Sequence, residues 1–313
     1  MVSAVFHLPR QSADEVQTGR AVAPAGAPAG APIVALPSAA PPLAAPEAVA
    51  PRKPAFDWRE LAAKVLPPIF GIAILIGIWG LLTMKSTTFP TPAATFTEAV
   101  KVFADPFYSK GPNDQGIGWN LLFSLERVAV GFGLAALVGI PMGFAIGRFE
   151  VLNRMLSPLI SLLRPVSPLA WLPIGLLVFK AANPAAIWTL FICSIWPMII
   201  NTAVGVQRVP ADYLNVARVL NLSEWKVVTK ILFPAVLPYM LTGVRLSVGT
   251  AWLVIVAAEM LTGGVGIGFW VWDEWNNLNV KHILIAILVI GVVGLLLEML
   301  LVNIAKRFSF DEV

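Results

Sequence analysis

Apolar residues in this chain run in long unbroken blocks separated by short polar stretches, neither alternating as in a half-buried strand nor recurring on one face as in a surface helix. Six such blocks fall at 66–84, 128–146, 156–179, 185–206, 235–258 and 283–304. A helix rises about 1.5 Å per residue, so about 20 residues cross the ~30 Å of bilayer hydrocarbon. The pattern therefore predicts an all-α membrane protein with about six transmembrane helices. Of the segments between blocks, 85–118 is turn-rich, with Pro90, Pro92, Pro106, Gly111, Pro112 and Gly116, and has room for one short helix at 96–103. The segment 207–234 is patterned differently, and the functional reading rests on it.

Residues 1–57 are rich in Ala and Pro, as in Ala23-Pro24-Ala25-Gly26-Ala27-Pro28. Repeated Pro removes backbone donors and the small side chains bury little surface, so a disordered tail is expected there and a membrane domain over 58–313. The tail has no continuous apolar run, and a cleaved leader is not expected. Orientation follows from the basic residues. With both termini inside, the cytoplasmic face receives Arg148, Arg154, Arg208, Arg218, Lys226, Lys230, Lys306 and Arg307. Arg10, Arg20, Arg52, Lys53, Arg59 and Lys64 join them from before the first block. The outer face receives Lys85, Lys101, Lys110, Arg127, Lys180 and Lys281. Fourteen against six places the termini in the cytoplasm.

Composition narrows the function. Hydrophobic residues make up 58% of the 313, charged residues 13%, and mean hydropathy is +0.79. The net charge of +4 is spread between the blocks, which suits topology signals and not a nucleic-acid footprint. One cysteine, Cys193, and two histidines, His7 and His282, leave no basis for a disulfide framework or a metal centre. No Gly-x-x-x-x-Gly-Lys-Ser/Thr loop, Gly-x-Ser-x-Gly elbow or His-Glu-x-x-His pair occurs, so the chain is not expected to be an enzyme.

The 207–234 loop reads as two short amphipathic helices. Pro210 suits a first helical turn. Leu214, Ala217 and Leu220 follow at helical spacing, and Asn221 can end the helix in a left-handed conformation. Ser223 can cap a second helix whose Trp225, Val228 and Leu232 share a face, and Pro234 should stop it before the membrane. Such a pair serves equally as a docking element for a partner or as an interfacial element lying on lipid, helped by Arg218, Lys226 and Lys230.

The same segment resembles the signature loop of binding-protein-dependent ABC importer permeases, which reads Glu-Ala-Ala, three residues, Gly, nine residues, Ile, one residue, Leu-Pro. Here Asn215-Val216-Ala217 stand for Glu-Ala-Ala, Asn221 for Gly, Ile231 for Ile and Phe233-Pro234 for Leu-Pro, with the spacing kept. Ser124-Leu125-Glu126-Arg127-Val128 with Gly139-Ile140-Pro141-Met142-Gly143, the string Leu163 to Pro173, and Ala251 to Met260 are similar to the nitrate, sulfonate and taurine permease group. Asp212 to Ala217 and Gly266 to Asn276 look most like its nitrate/nitrite (bicarbonate, cyanate) branch. The resemblance implies a type I ABC importer permease fold, with Leu214, Asn215, Val216, Ala217, Leu220, Asn221, Ile231 and Pro234 forming the coupling loop. It further implies a homodimer or pair of permease subunits, cytoplasmic ABC ATPase subunits that carry ATP and Mg, and a periplasmic or lipid-anchored substrate-binding protein. No cofactor is implied for this chain. The cargo expected is a small inorganic anion, nitrate or nitrite, with taurine or an aliphatic sulfonate as the alternative. From a different class, an ion-coupled secondary carrier would require paired midplane charges and inverted repeats.

Ionisable residues within the blocks are Arg164, Arg245, Glu259 and Glu298. Each costs about 2.5–3.5 kcal/mol at mid-bilayer on insertion scales, so each must face protein, water or an interface. The two acids read as structural or interfacial; Arg164 and Arg245 serve either packing or an anion pathway. Pro165, Pro168 and Pro173 break the third block's backbone ladder, which marks Arg164, Pro165 and Pro168 as pathway candidates beside Arg245. Gly139, Gly143 and Gly147 form a stripe for close helix contact, within the chain or between subunits. The aromatic run Phe269, Trp270, Trp272 and Trp275 suits an interfacial belt or a short helix that touches the binding protein.

Overall fold

The structure, a computed structural model, describes residues 58–86 and 88–308; the expected tail over 1–57 lies outside them. Among the described residues the regular elements are helices, apart from one β-bridge between Ser109 and Gln115. Five helices are long and apolar enough to cross a membrane: α1 (Trp58–Thr83), α3 (Ile117–Arg148), α6 (Ala182–Gln207), α9 (Phe233–Thr262) and α11 (Val280–Phe308). The expected third span is different. It divides into α4 (Glu150–Leu163) and a second piece formed by a 3₁₀ turn, Pro168–Trp171, leading into α5 (Leu172–Phe179). The two pieces meet at 96°, so residues 156–179 make a bent pair and not a straight crossing. Pro165 and Pro168 contribute to the break: each lacks an N–H, and Ser167, before Pro168, leaves the helical region at ψ 128°.

Small residues set the helix spacing. The Gly139/Gly143/Gly147 stripe lies on α3 against α6, within one chain: a Cβ on Gly143 would stand 2.6 Å from Thr202 Cβ and 2.8 Å from the Ile199 carbonyl oxygen. Gly131 and the fully buried Ala135 extend the stripe outward at the same four-residue step. Backbones this close bury Leu190, Met198 and Ile199 completely. A second core joins α9 and α11 through Trp252, Ile255, Ile285 and Ala286, where the Trp252 indole donates to the Ile290 carbonyl at 3.0 Å. Helix α1, by contrast, turns Ile69, Phe70, Leu75 and Leu81 outward, as a lipid- or subunit-facing span does.

At one end of the bundle, α2 (Pro92–Ala104) matches the short helix expected at 96–103, started by Pro92 and by Thr91 accepting from the Ala94 N–H. It meets α10 (Ile267–Asn276) and the start of α11 through His282, whose Nδ1 lies 2.9 Å from Glu274 and whose Nε2 lies 3.7 Å from Glu98. Trp270 stacks on the imidazole at 5.5 Å between centroids. Lys101, hydrogen-bonded to Glu98 at 3.0 Å, holds that carboxyl below its usual range. Helix α3 begins at Ile117, eleven residues before the apolar block, because its polar first turns are buried against α10 and α9.

Candidate functional site

The loop at the opposite end folds as α7 (Ala211–Val219), α8 (Glu224–Val227), a π-helical turn Val228–Leu232, and then α9. Helix α7 ends in a Schellman motif. Asn221 has φ 48°, its N–H donates to the Arg218 carbonyl at 3.0 Å, and the Leu222 N–H donates to the Ala217 carbonyl at 3.0 Å. The left-handed Asn221 anticipated from the sequence is in place, and it fixes the angle between the two helices. Ser223 occupies the N-cap position of α8, but its hydroxyl makes no capping bond. Pro234 does not stop the helix, which runs from Glu224 to Thr262. The π turn directly before it widens the ladder where Pro234 would otherwise clash with the preceding turn.

The π turn also changes which residues face inward. Its extra residue puts Val227 and Leu232, five apart, on one buried face with Val236 and Met240. Trp225, expected on that face with Val228 and Leu232, is instead 75% exposed. On α7, Ala217 is only 2% exposed and packs with Val206, Val227 and Leu232, while Leu214 is partly covered beside it. The inward stripe of the loop is therefore its attachment to its own bundle. The outward apolar face consists of Tyr213, Val216, Leu220 and Val219, the last 86% exposed. Asn215 is also outward and accepts from Arg218 at 3.0 Å; Ile231 is partly buried and Pro234 is exposed. Val219 was not singled out from the sequence, because hydrophobic spacing marks an apolar face without saying what covers it.

A polar contact fastens this unit to the spans. Arg148, the last residue of α3, donates from Nη2 and Nε to the two Glu224 oxygens at 3.0 and 3.3 Å. Ala217 packs on Val206 of α6 beside it. Next to the unit, the start of α9 is braced on α3, where Phe144 stacks on Phe233 at 6.3 Å, and on the end of α6, where the Arg208 guanidinium lies over the Tyr239 ring at 5.5 Å.

The pathway candidates fall in adjacent places. A cavity of about 550 Å³ is lined by Asn153, Ser157, Ser161, Arg164 and Pro165 on one side and by Ala203 and Gln207 on α6. A second of about 340 Å³ is lined by Arg164, Pro168, Trp196, Asn201, Leu246 and Thr250. Arg164 borders both, and among the described residues its side chain has no hydrogen-bond or ion-pair partner. Arg245 is not in either cavity. It lines a neighbouring groove of about 520 Å³ and donates to Glu298; that groove shares Leu246 and Thr250 with the second cavity.

A polar network near the α10 end was also missed. Glu259, 1% exposed, accepts from Arg127 at 2.6 Å, from the Ser124 hydroxyl at 2.8 Å and from the Gly268 N–H at 3.0 Å. Ser124 Oγ accepts from the Ile267 N–H and Asn120 Oδ1 from the Gly266 N–H, at 2.9 and 2.8 Å. Side chains from α3 and α9 thereby satisfy the free N–H groups at the start of α10. The backbone there tolerates only glycine: a Cβ on Gly268 would stand 2.0 Å from the Val256 carbonyl oxygen. Glu259 is structural, as its position in the sequence suggested.

Comparison with known proteins agrees with these features. The family described as binding-protein-dependent transport system inner membrane component matches residues 135–310. The nitrate import permease protein NrtB of Leptolyngbya laminosa is 47% identical over 79% of this chain and 88% of its own length. The bicarbonate transport system permease protein CmpB of Synechococcus elongatus is 44% identical over 77% and 88%, and the taurine transport system permease protein TauC of Escherichia coli is 30% identical over 80% and 92%. Among solved structures, an inward-facing MetNI methionine ABC transporter aligns with TM-score 0.55 at 15% identity, over 60% of this chain and 94% of that one.

Proposed function

The chain belongs to the family of binding-protein-dependent transport system inner membrane components, and from that premise we propose that it is the nitrate-conducting permease of an ATP-driven importer, engaged by its motor through the outward face of α7. Family membership makes it a multi-pass permease of the inner membrane and sets aside the ion-coupled carrier. The observation that carries the docking assignment is the exposed apolar face of Tyr213, Val216, Val219 and Leu220, set on a unit too well fastened to swing freely. An apolar helix face fits a groove on a partner, and the Schellman turn with the Arg148–Glu224 fork makes the unit stiff enough to transmit displacement.

In this reading both termini and the α7 end lie in the cytoplasm, as the distribution of Lys and Arg supports. A separate ATPase pair carries ATP and Mg, grips α7 in each of two permease copies, and closes on ATP binding. The spans then rearrange to receive cargo from a binding protein at the α10 end. Arg164, unpaired among the described residues and bordering two cavities, supplies positive potential to a passing anion. Similarity to nitrate import permeases supports nitrate; similarity to bicarbonate permeases supports bicarbonate as the second reading. Taurine or an aliphatic sulfonate remains the more distant alternative.

A pair of variants tests the docking face. Val219→Glu places a charge on the outward face without touching the permease core, and should leave the chain folded while abolishing ATPase co-purification and uptake. Ala217→Glu places it inside the loop's own attachment and should lower the yield of folded protein. Full ATPase binding and normal uptake by Val219→Glu would refute the assignment. Competition of unlabelled bicarbonate and taurine against labelled nitrate in proteoliposomes decides the cargo.

A further inference from the structure

Arg127 and Arg245 lie within α3 and α9, and Arg164 at the break of the bent pair, and their surroundings differ. Arg127 is 14% exposed and saturated by Asn183 Oδ1, Glu259 Oε1 and the Val265 carbonyl, each at 2.6 Å, so it holds the fold together. Arg164 has no side-chain partner among the described residues. Arg245 is intermediate: it donates to Glu298 alone, and the two side chains are 52% and 54% exposed. Glu298 is eight residues before Lys306, about 12 Å along α11, and lies within that helix's apolar stretch. Charges at that depth do not face lipid chains without a cost of several kcal/mol, so the pair faces water or protein. The groove that holds it is adjacent to the cavity of Arg164, and Leu246 and Thr250 line both. The exposed positions of α9 on this wall are mixed: Thr242, Arg245, Gly249 and Thr250 alternate with the apolar Leu246 and Leu253.

We infer that Glu298 is a built-in competing anion: its carboxylate occupies Arg245 when no cargo is present, and a passing anion must displace it. This deepens the function proposed above and rests on its assignment of an anion pathway. The physical reason is the balance a pathway requires. A guanidinium already paired with a carboxylate holds an incoming anion less tightly than a bare one does, because the carboxylate competes for its N–H groups and keeps the local net charge near zero. Arg164 then attracts the anion and Arg245 hands it on. Glu298 is in this sense a positioning residue that sets how tightly the wall holds its cargo.

The test is equilibrium binding of nitrate, and of perchlorate as a non-transported probe, to the full-length chain purified in lipid nanodiscs with its co-purifying subunits. Glu298→Gln should tighten binding of both anions about tenfold or more, and adding Arg245→Gln to it should abolish the gain. Unchanged or weaker binding in Glu298→Gln would overturn the inference, as would a gain that survives loss of Arg245. Should Glu298→Gln not assemble, Glu298→Asp withdraws the charge by one methylene and should tighten binding by a smaller, measurable factor; no change there overturns the idea equally. ATP-driven uptake by the unaltered protein is scored separately. A wild type that imports nitrate with Glu298→Gln unchanged in affinity refutes the competitor role alone. Absence of nitrate uptake by the wild type refutes the cargo assignment, whatever the binding result.

Discussion

Glu259 illustrates how a residue that is costly by itself becomes structural through its partners. A carboxylate within a span is expensive, yet this one receives a guanidinium, a hydroxyl and a backbone N–H, and through them α3, α9 and α10 are joined. Glu259→Gln removes the charge and leaves Arg127 partly buried without its counter-ion. Breaking a buried pair from one side costs about 3–5 kcal/mol, and a loss of this order is expected in thermal unfolding of the detergent-solubilised protein. A stability within about 1 kcal/mol of wild type would mean that water already reaches the pair. No alternation or spacing in the sequence brings Ser124, Arg127 and Glu259 together. Ser124 and Arg127 are one turn apart on α3, but Glu259 lies more than 130 positions away on α9, and only helix packing makes it their neighbour.

At the scale of elements, the 207–234 loop holds the expected short helix ended at Asn221 and a second helix starting after Ser223, since caps and turns are local chemistry that a few adjacent residues specify, but that second helix runs on through Pro234 into α9. Asn221→Val requires a β-branched side chain at φ 48°, which should cost about 1–2 kcal/mol and loosen the angle between α7 and α8. Hydrogen exchange of the Leu222 amide, whose bond to Ala217 closes the motif, reports it; unchanged protection would show that the loop does not depend on this turn. The faces were another matter. Sequence spacing put Trp225 with Leu232 and offered Ala217 to a partner, whereas the π turn rotates Trp225 outward and the bundle covers Ala217. The third apolar block has the length of a span, but the prolines within it turn the chain through 96°, so it makes the sixth crossing only as a broken one.

For the whole molecule, orientation is the outstanding physical claim, and a single native cysteine makes it accessible. Cys193 is buried, so new cysteines can be labelled against a low background. Val219→Cys at the α7 end should react with a membrane-impermeant maleimide only in inside-out vesicles, and Leu278→Cys, 80% exposed beyond α10, only in intact spheroplasts. The reverse pattern would invert the topology and remove α7 from any cytoplasmic motor. The exposed faces of α1 and of the Arg245 groove have different meanings at this scale. The first is apolar and at home in lipid; the second carries charge and calls for water or a second subunit.

Block length, basic-residue bias and turn chemistry determined the membrane class, the approximate number of crossings, the short helices at either end and the family resemblance, because each depends on residues close together in the chain. Tertiary structure alone decided which face of α7 is free, that the glycine stripe of α3 is spent on α6, and which arginine has a partner. Those outcomes depend on what packs against a side chain, and in a bundle of near-uniform hydrophobicity the one-dimensional pattern contains almost no information about neighbours.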